Sequence, residues 1–314
     1  MIVFDDLDRT STDWNTVNQI VFDLLRVVLW LIEFKRLHTK IFLRGDQLYR
    51  LDLRSFPDVA KLTVKSAGLR WDRYDLHGPL WQRFCNADHE YGAVLRDLYA
   101  RITGQPARAE DGVWLLSNEV KTDVYLQRRL FAALAGDRMG KDSWRGEPYE
   151  WLVNHLADGA GWVSPRSFLA AIRAAAEDSE RYPNYPYPLH YESIKRGVPQ
   201  ASQVRVDEIA KDYPWGTKLM APLHGLSVPC PIETITASWQ ERFPNGPADL
   251  GGDYLPPLWI DHGWSGIKNH LFHLGIVEFT SDNRINMPDI YRIGFGLGRH
   301  GGVKPIKTGT SPVV

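Results

Sequence analysis

Cysteine is scarce in this chain, and neither sign of charge is in excess. The 314 residues include two cysteines, Cys85 and Cys230, which are too few for a disulfide framework and indicate a reducing compartment. Lysine and arginine together number 37, and aspartate and glutamate 38, so the net charge is −1. No global basic field therefore points to nucleic acid, and any such contact has to come from a local basic patch.

The chain also lacks a long apolar run that is free of charge. Its most apolar stretch, residues 20–34, carries Asp23, Arg26 and Glu33, which are costly at the depth of a bilayer. The apolar residues of this stretch recur with helical spacing, which predicts a helix packed on a core. No signal-peptide pattern precedes it, so we expect a cytoplasmic protein with no membrane partner.

The first residues have the order of an α/β unit. Residues 2–4 and 40–43 are short apolar runs on either side of the predicted helix, which gives strand, helix, strand with parallel strands. Two strands do not make an independent sheet. We therefore expect a missing upstream segment or a partner chain to complete this truncated core.

The predicted fold is mainly α, with three domains. They are residues 1–62, a truncated α/β core; residues 63–180, a helical region and lid; and residues 181–314, a linker and a winged-helix-like region. Residues 181–188 alternate proline with aromatics, which excludes a helix and predicts an extended linker. A helix over residues 259–274, followed by two short apolar runs around a turn, predicts the winged-helix-like ending.

Acidic residues follow the first predicted strand, and an arginine follows the second. Asp5 and Asp6 occupy the first position, and Arg44 the other. Beside a bound nucleotide, one carboxylate can hold Mg²⁺ and a second can polarise the attacking water, while a guanidinium matches phosphate oxygens. Acidic residues also follow buried strands as ordinary turn residues, and Arg44 can pair with Asp46 at a surface. The ordered set therefore carries more weight than either motif.

These motifs resemble the Walker B and sensor motifs of the KAP and STAND-like bacterial P-loop ATPases, over roughly residues 1–180. In the lid of that family, one helix begins with a Pro-Arg pair. Arg166 and the proline before it match that placement. The alternative is that Arg166 is an exposed side chain in the first turn of an ordinary helix. The resemblance implies an ATP-driven switch in which Asp5 binds Mg²⁺ and Asp6 polarises the attacking water. Arg44 and Arg166 would face the phosphates. A role in bacterial defence follows from analogy alone.

The chain departs from that family in its phosphate-binding loop. No Gly-x-x-x-x-Gly-Lys-Ser/Thr sequence occurs in it, and the nearest imitation ends in Asp142, whose charge would repel phosphate. We therefore expect this chain by itself neither to bind ATP tightly nor to hydrolyse it. ATP and Mg²⁺ are expected only when an upstream segment or a partner chain supplies the loop. A homo-oligomer is one assembly open to this chain.

The C-terminal stretch points to a different function. No acidic residue follows Asp289, whereas Arg292, Arg299, Lys304 and Lys307 lie among glycines. A glycine-rich basic backbone can approach phosphates closely. With the predicted winged helix, this stretch indicates a non-enzymatic module that binds either DNA or protein; in the second case the basic residues form a solvated tail.

Overall fold

The computed structural model describes residues 11–45, 48, 59–140, 145–251, 255–299 and 303–304. In this part the chain is mainly helical, as the sequence predicts, and its strands form two small antiparallel pairs. The chain divides into two compact units, Met1–Leu69 with Gly251–Pro256, and Arg70–Leu250 with Pro257–Val314. None of the helices in the described residues is both long and apolar enough to cross a membrane.

The first unit is built around one long helix. Helix α1 spans Trp14–Leu31, and Asp13 caps it by accepting a hydrogen bond from the Thr16 backbone N–H. Its buried side chains have the predicted helical spacing and pack with Leu255. The Trp14 indole also donates to the Pro256 carbonyl at 2.9 Å. A short helix, α2 (Val59–Thr63), belongs to the same unit.

The parallel sheet predicted for the first unit has no support in the structure. Residues 40–43 have no regular secondary structure, and residues 2–4 lie outside the described residues. Phe42 is 74% exposed, whereas a central parallel strand is buried on both faces. An apolar run forms a strand only where a neighbouring strand pairs with its backbone, and every strand pair in the described part of the chain is antiparallel.

The second unit contains the remaining helices and both strand pairs. In chain order, its helices are α3 (His77–Cys85), α4 (His89–Thr103), α5 (Glu119–Thr122), α6 (Val124–Ala135), α7 (Pro148–Leu156), α8 (Pro165–Ser179), α9 (Tyr191–Asp212), α10 (Pro214–Met220), α11 (Ile232–Arg242), α12 (Gly263–His273) and α13 (Asp289–Arg292). Its antiparallel pairs are β1 (Arg108–Glu110) with β2 (Val113–Leu115), and β3 (Glu278–Phe279) with β4 (Ile285–Asn286).

One hydrophobic core extends through the second unit. It includes the fully buried rings of Trp81, Phe168, Trp239 and Tyr291, which come from both sides of residue 180. Helices α8 and α9 form the most extensive helix pair. The two predicted domains that meet at residue 180 therefore share a single core in the structure.

The proline-rich residues 181–188 connect α8 to α9 within this unit. They are not helical, as the alternation of proline with aromatics predicts. The rings of Tyr182 and Tyr185 lie 3.7 and 4.4 Å from the His190 ring, measured between centroids. Just beyond, the Leu189 N–H donates to the Leu134 carbonyl at 2.8 Å. The segment is thus a packed connection between two neighbouring helices.

The predicted order of a helix followed by a hairpin is present near the C-terminus. Helix α12 leads into β3 and β4, in which Phe279 lies opposite Ile285. Helix α13 then packs on α9, where the Ser202 hydroxyl donates to the Ile290 carbonyl at 2.6 Å. Side chains of this C-terminal region as far as Leu297 are therefore part of the core of the second unit.

Gly197 allows α8 and α9 to approach closely, because a Cβ at this position would clash with the carbonyl oxygen of Ala171. We expect Gly197→Ala to lower the free energy of unfolding by about 1–3 kcal/mol, the usual cost of overpacking, although alanine is the better helix former. Chemical denaturation measures this loss. In the control, Gly78→Ala in α3, the new Cβ would make ordinary contacts at 3.5 Å. Equal stability of the two variants would contradict the close approach.

Candidate functional site

A pocket of about 610 Å³ lies in the second unit, beside α7 and α9. Its volume is within the range of about 300–1,000 Å³ that is usual for ligand sites. The lining residues are Met139, Arg145, Trp151, His155, Lys195, Arg196, Pro199, Val303 and Lys304. Two helices and the C-terminal segment thus meet at one concave surface.

Among the described residues that line this pocket, four are cations and none is a carboxylate. Two of the cations have carboxylate partners that do not line the pocket. The Lys195 ammonium lies 2.7 Å from Glu192, and the Arg196 Nε lies 2.6 Å from Asp178. These partners hold the cations in place, and a guanidinium has five N–H donors, more than one carboxylate uses. An anion in the pocket can therefore share the same cations.

His155 contributes a neutral imidazole to the pocket. Its Nδ1–H donates to the Trp151 carbonyl at 2.8 Å, and its Nε2 lies 3.7 Å from a carboxylate oxygen of Asp289. Burial is the main cause that lowers the pKa of His155 below its ordinary value of 6.5, so the ring is neutral at pH 7. Because Nδ1 carries the proton, Nε2 is a hydrogen-bond acceptor.

A buried ion cluster holds Val303 and Lys304, which form the C-terminal wall of the pocket. Asp289 accepts hydrogen bonds from Arg292 Nε at 2.8 Å and from Arg299 Nη1 at 3.1 Å. Arg292 also donates to the Val303 carbonyl at 2.6 Å. Since Val303 directly precedes Lys304, this cluster places the Lys304 backbone at the pocket.

The four basic residues predicted to contact nucleic acid occupy different environments. Arg292 is 0% exposed and bonded to protein groups, so it supports the fold and presents no face to a phosphate. Arg299 is half-buried and bonded to Asp289. Lys304 is exposed and lines the pocket. Lys307 lies outside the described residues.

Of the residues predicted to form an ATP site, the structure describes Arg44 and Arg166, which belong to different units. Asp5 and Asp6 lie outside the described residues, and Arg44 is half-buried in the first unit. Arg166 lies in the first turn of α8 in the second unit, two residues after the predicted N-cap Ser164. The site for ATP and Mg²⁺ therefore stays a prediction. Among the described residues, no group of three or more His, Cys, Asp or Glu side chains is placed to hold a metal ion.

Arg166 has a protein partner in the second unit. Its side chain is 74% exposed, and its Nη1 lies 2.6 Å from Glu208 on α9. Glu208 also pairs with Arg205 at 3.0 Å, and Arg205 donates to the Tyr291 hydroxyl. In this arrangement Arg166 is the outer member of a charge network that joins α8, α9 and α13.

The helix and the hairpin near the C-terminus also carry cations. On α12, the Lys268 ammonium lies 5.4 Å from the Phe279 ring centroid, and that ring also packs on Phe272. At the hairpin tip, Arg284 is paired with Asp282 at 2.7 Å. Lys268 thus lies beside an aromatic ring, and Arg284 lies beside a carboxylate.

The comparisons identify no relative. Models of known protein families, curated proteins and solved structures all give no match to this chain. Its function has to be argued from the chemistry of the pocket.

Sequence reasoning identified one of the lining residues, Lys304, and missed the others. Trp151 and His155 come from α7, and Lys195 and Arg196 from α9, about forty residues further along the chain. No motif links positions that are so far apart. The one local signal is the adjacent Lys-Arg pair at 195 and 196, which by itself does not differ from an ordinary solvated helix face.

Proposed function

We propose that this chain is a non-enzymatic binding module that holds a phosphate-bearing ligand in the basic pocket. The observation that carries this proposal is the convergence of Arg145, Lys195, Arg196 and Lys304 on a concave surface, with no carboxylate among the described residues that line it. A cleft lined by one sign of charge concentrates its potential and raises the local concentration of ligands of the opposite charge.

The types of cation in the pocket suit phosphate. Arginine provides a planar fork of N–H donors that matches two phosphate oxygens, and lysine provides a compact point charge. A hydrogen bond to a charged group contributes about 1.5–3 kcal/mol. The partners Glu192 and Asp178 are not among the described residues that line the pocket, so they leave its surface to the cations.

This proposal develops the DNA-binding alternative predicted from the sequence, at a different surface. The basic C-terminal stretch enters through Lys304, whereas Arg292 and Arg299 hold the wall in place. The helix and hairpin are not required for phosphate contact. Neither Mg²⁺ nor a phosphate-binding loop is needed, so the proposal is independent of the predicted ATP site.

Removing two of the cations is expected to weaken phosphate binding. In the double variant Lys195→Gln/Lys304→Gln, we expect the dissociation constant for tripolyphosphate to rise about 10-fold or more, which corresponds to about 1.4 kcal/mol. Titration calorimetry at low salt measures this change, and the affinity should also fall as salt is added because the contacts are ionic. The control is Lys218→Gln, at an exposed lysine that does not line the pocket.

Titrations with ATP and with a short single-stranded oligonucleotide show which source of phosphate the pocket prefers. Binding of either that weakens in the double variant and not in Lys218→Gln supports the proposal. The proposal is overturned if none of the three ligands binds, or if the control weakens binding as much as the double variant.

A further inference from the structure

The basic pocket has an apolar part as well as a cationic one. Met139, Trp151, Pro199 and Val303 line it beside the four cations. An inorganic anion would contact the cations and leave this apolar surface covered only by water. A ligand that fills the pocket therefore combines an anionic group with an apolar body.

Trp151 indicates what kind of body fits. The His155 ring stacks on one face of its half-buried indole, with 3.8 Å between centroids and 22° between planes, so a ligand ring has to use the other face. A nucleobase stacks favourably on an aromatic side chain, and every base has a suitable face. Sugars and glycerol lack a planar ring and gain less from an indole.

The hydrogen-bonding groups next to the indole add a second requirement. His155 Nε2 is an acceptor, and the Asp289 carboxylate oxygen that lies 3.7 Å from it is an acceptor too. A ligand at this point has to offer a donor. The ribose hydroxyls and exocyclic amino groups of nucleotides are donors, whereas a fully ionised phosphate has only acceptors.

From these features we infer that the ligand is a nucleoside phosphate, either free or at the end of a nucleic-acid strand. Its phosphate pairs with Arg145, Lys195, Arg196 and Lys304, its base lies against Trp151, and one of its donors faces His155. This inference rests on the proposed function, because it assigns a ligand class to the same pocket.

The first test compares ligands on the unaltered protein and needs no variant. The four common nucleoside 5′-monophosphates, ribose 5-phosphate and inorganic phosphate are titrated separately by calorimetry. We expect at least one nucleotide to bind about 10-fold more tightly than ribose 5-phosphate, in line with the contribution of one stacked base. A 5′-phosphorylated oligonucleotide that binds more tightly than the nucleotide identifies a strand end as the source, and weaker binding identifies the free nucleotide.

The second test removes the indole. In Trp151→Leu, nucleotide affinity should fall about 10-fold, while ribose 5-phosphate affinity changes less than about twofold. Trp30→Leu, at an exposed tryptophan of the first unit, is the matched control and should change neither.

The outcomes separate the two proposals. If ribose 5-phosphate or inorganic phosphate binds as tightly as every nucleotide, the nucleoside inference is overturned and the phosphate pocket stands. If tripolyphosphate, inorganic phosphate, ribose 5-phosphate and the nucleotides all fail to bind, both proposals are overturned. An equal loss of nucleotide and ribose 5-phosphate affinity in Trp151→Leu also contradicts stacking.

Discussion

Replacing Arg292 with methionine is expected to lower the free energy of unfolding by about 3–5 kcal/mol, the usual cost of removing one partner from a buried ion pair. The Arg292 side chain is 1% exposed and that of Asp289 is 7% exposed, and the two are joined at 2.8 Å. Methionine fills much of the same space and offers no donor. The Asp289 carboxylate would keep Arg299 and lose its buried partner, and the Val303 carbonyl would lose its hydrogen bond.

Denaturant unfolding of three variants tests this expectation. Arg299→Met is the matched control, because Arg299 pairs with the same carboxylate but its side chain is 29% exposed, so its loss should be smaller. Asp289→Asn/Arg292→Met removes the uncompensated charge and should recover part of the stability. A loss in Arg292→Met no greater than that in Arg299→Met would show that the buried pair is not the main support of this region.

Acid is expected to destabilise the protein through His77. This ring is fully buried and stacks on Tyr149 at 4.1 Å, with the edges of Phe131 and Phe168 also against it. Neither of its nitrogens has a hydrogen-bond partner in the described part of the chain. Burial lowers the pKa of His77 from 6.5 to about 3, because a charged imidazole would lose its hydration in this aromatic environment.

The sign of the pH effect follows from this lowered pKa. Between pH 6.5 and about pH 3, the unfolded state binds a proton at His77 and the folded state does not. The contribution of neutral His77 is therefore complete above pH 6.5 and is lost progressively as the pH falls towards 3. Between pH 7 and pH 5 the expected loss is about 2 kcal/mol, since one pKa unit corresponds to about 1.4 kcal/mol.

Urea denaturation at pH 7 and pH 5 measures this loss. His77→Leu removes the titrating group and keeps an apolar side chain, so its stability should fall by about 2 kcal/mol less than that of the unaltered protein over this interval. His262→Gln, at an exposed histidine, is the control and should keep the full dependence. The same pH dependence in His77→Leu and in the unaltered protein would rule out the buried imidazole as the source.

Local patterns predicted the features that depend on local interactions. The spacing of Val17, Val21 and Leu25 predicted α1, and Ser164 before a proline predicted the start of α8. The order of α12, β3 and β4 was also predicted, because a helix and a tight hairpin have periodicities that are visible within about twenty residues.

Features that depend on distant partners were not predicted. Residues 40–43 have the composition of a strand, but no sequence pattern shows whether a neighbouring strand is present to pair with them. The composition around Arg292 shows positive charge and does not show that the packing of α13 on α9 buries this side chain. The pocket depends on the packing of α7 beside α9, which brings Trp151 and Lys195 to one surface.

The core of the second unit has a consequence for biosynthesis. Some of its most deeply buried side chains lie at positions 267–297, late in the order of synthesis. They are Ile267, Ile276, Ile290 and Leu297. While a ribosome is still translating this part, the helices made earlier have an open apolar surface. Domains generally fold as units, so this unit cannot reach its native state until those residues have emerged from the exit tunnel. We therefore expect the nascent chain to depend on chaperones that shield apolar surface during that interval.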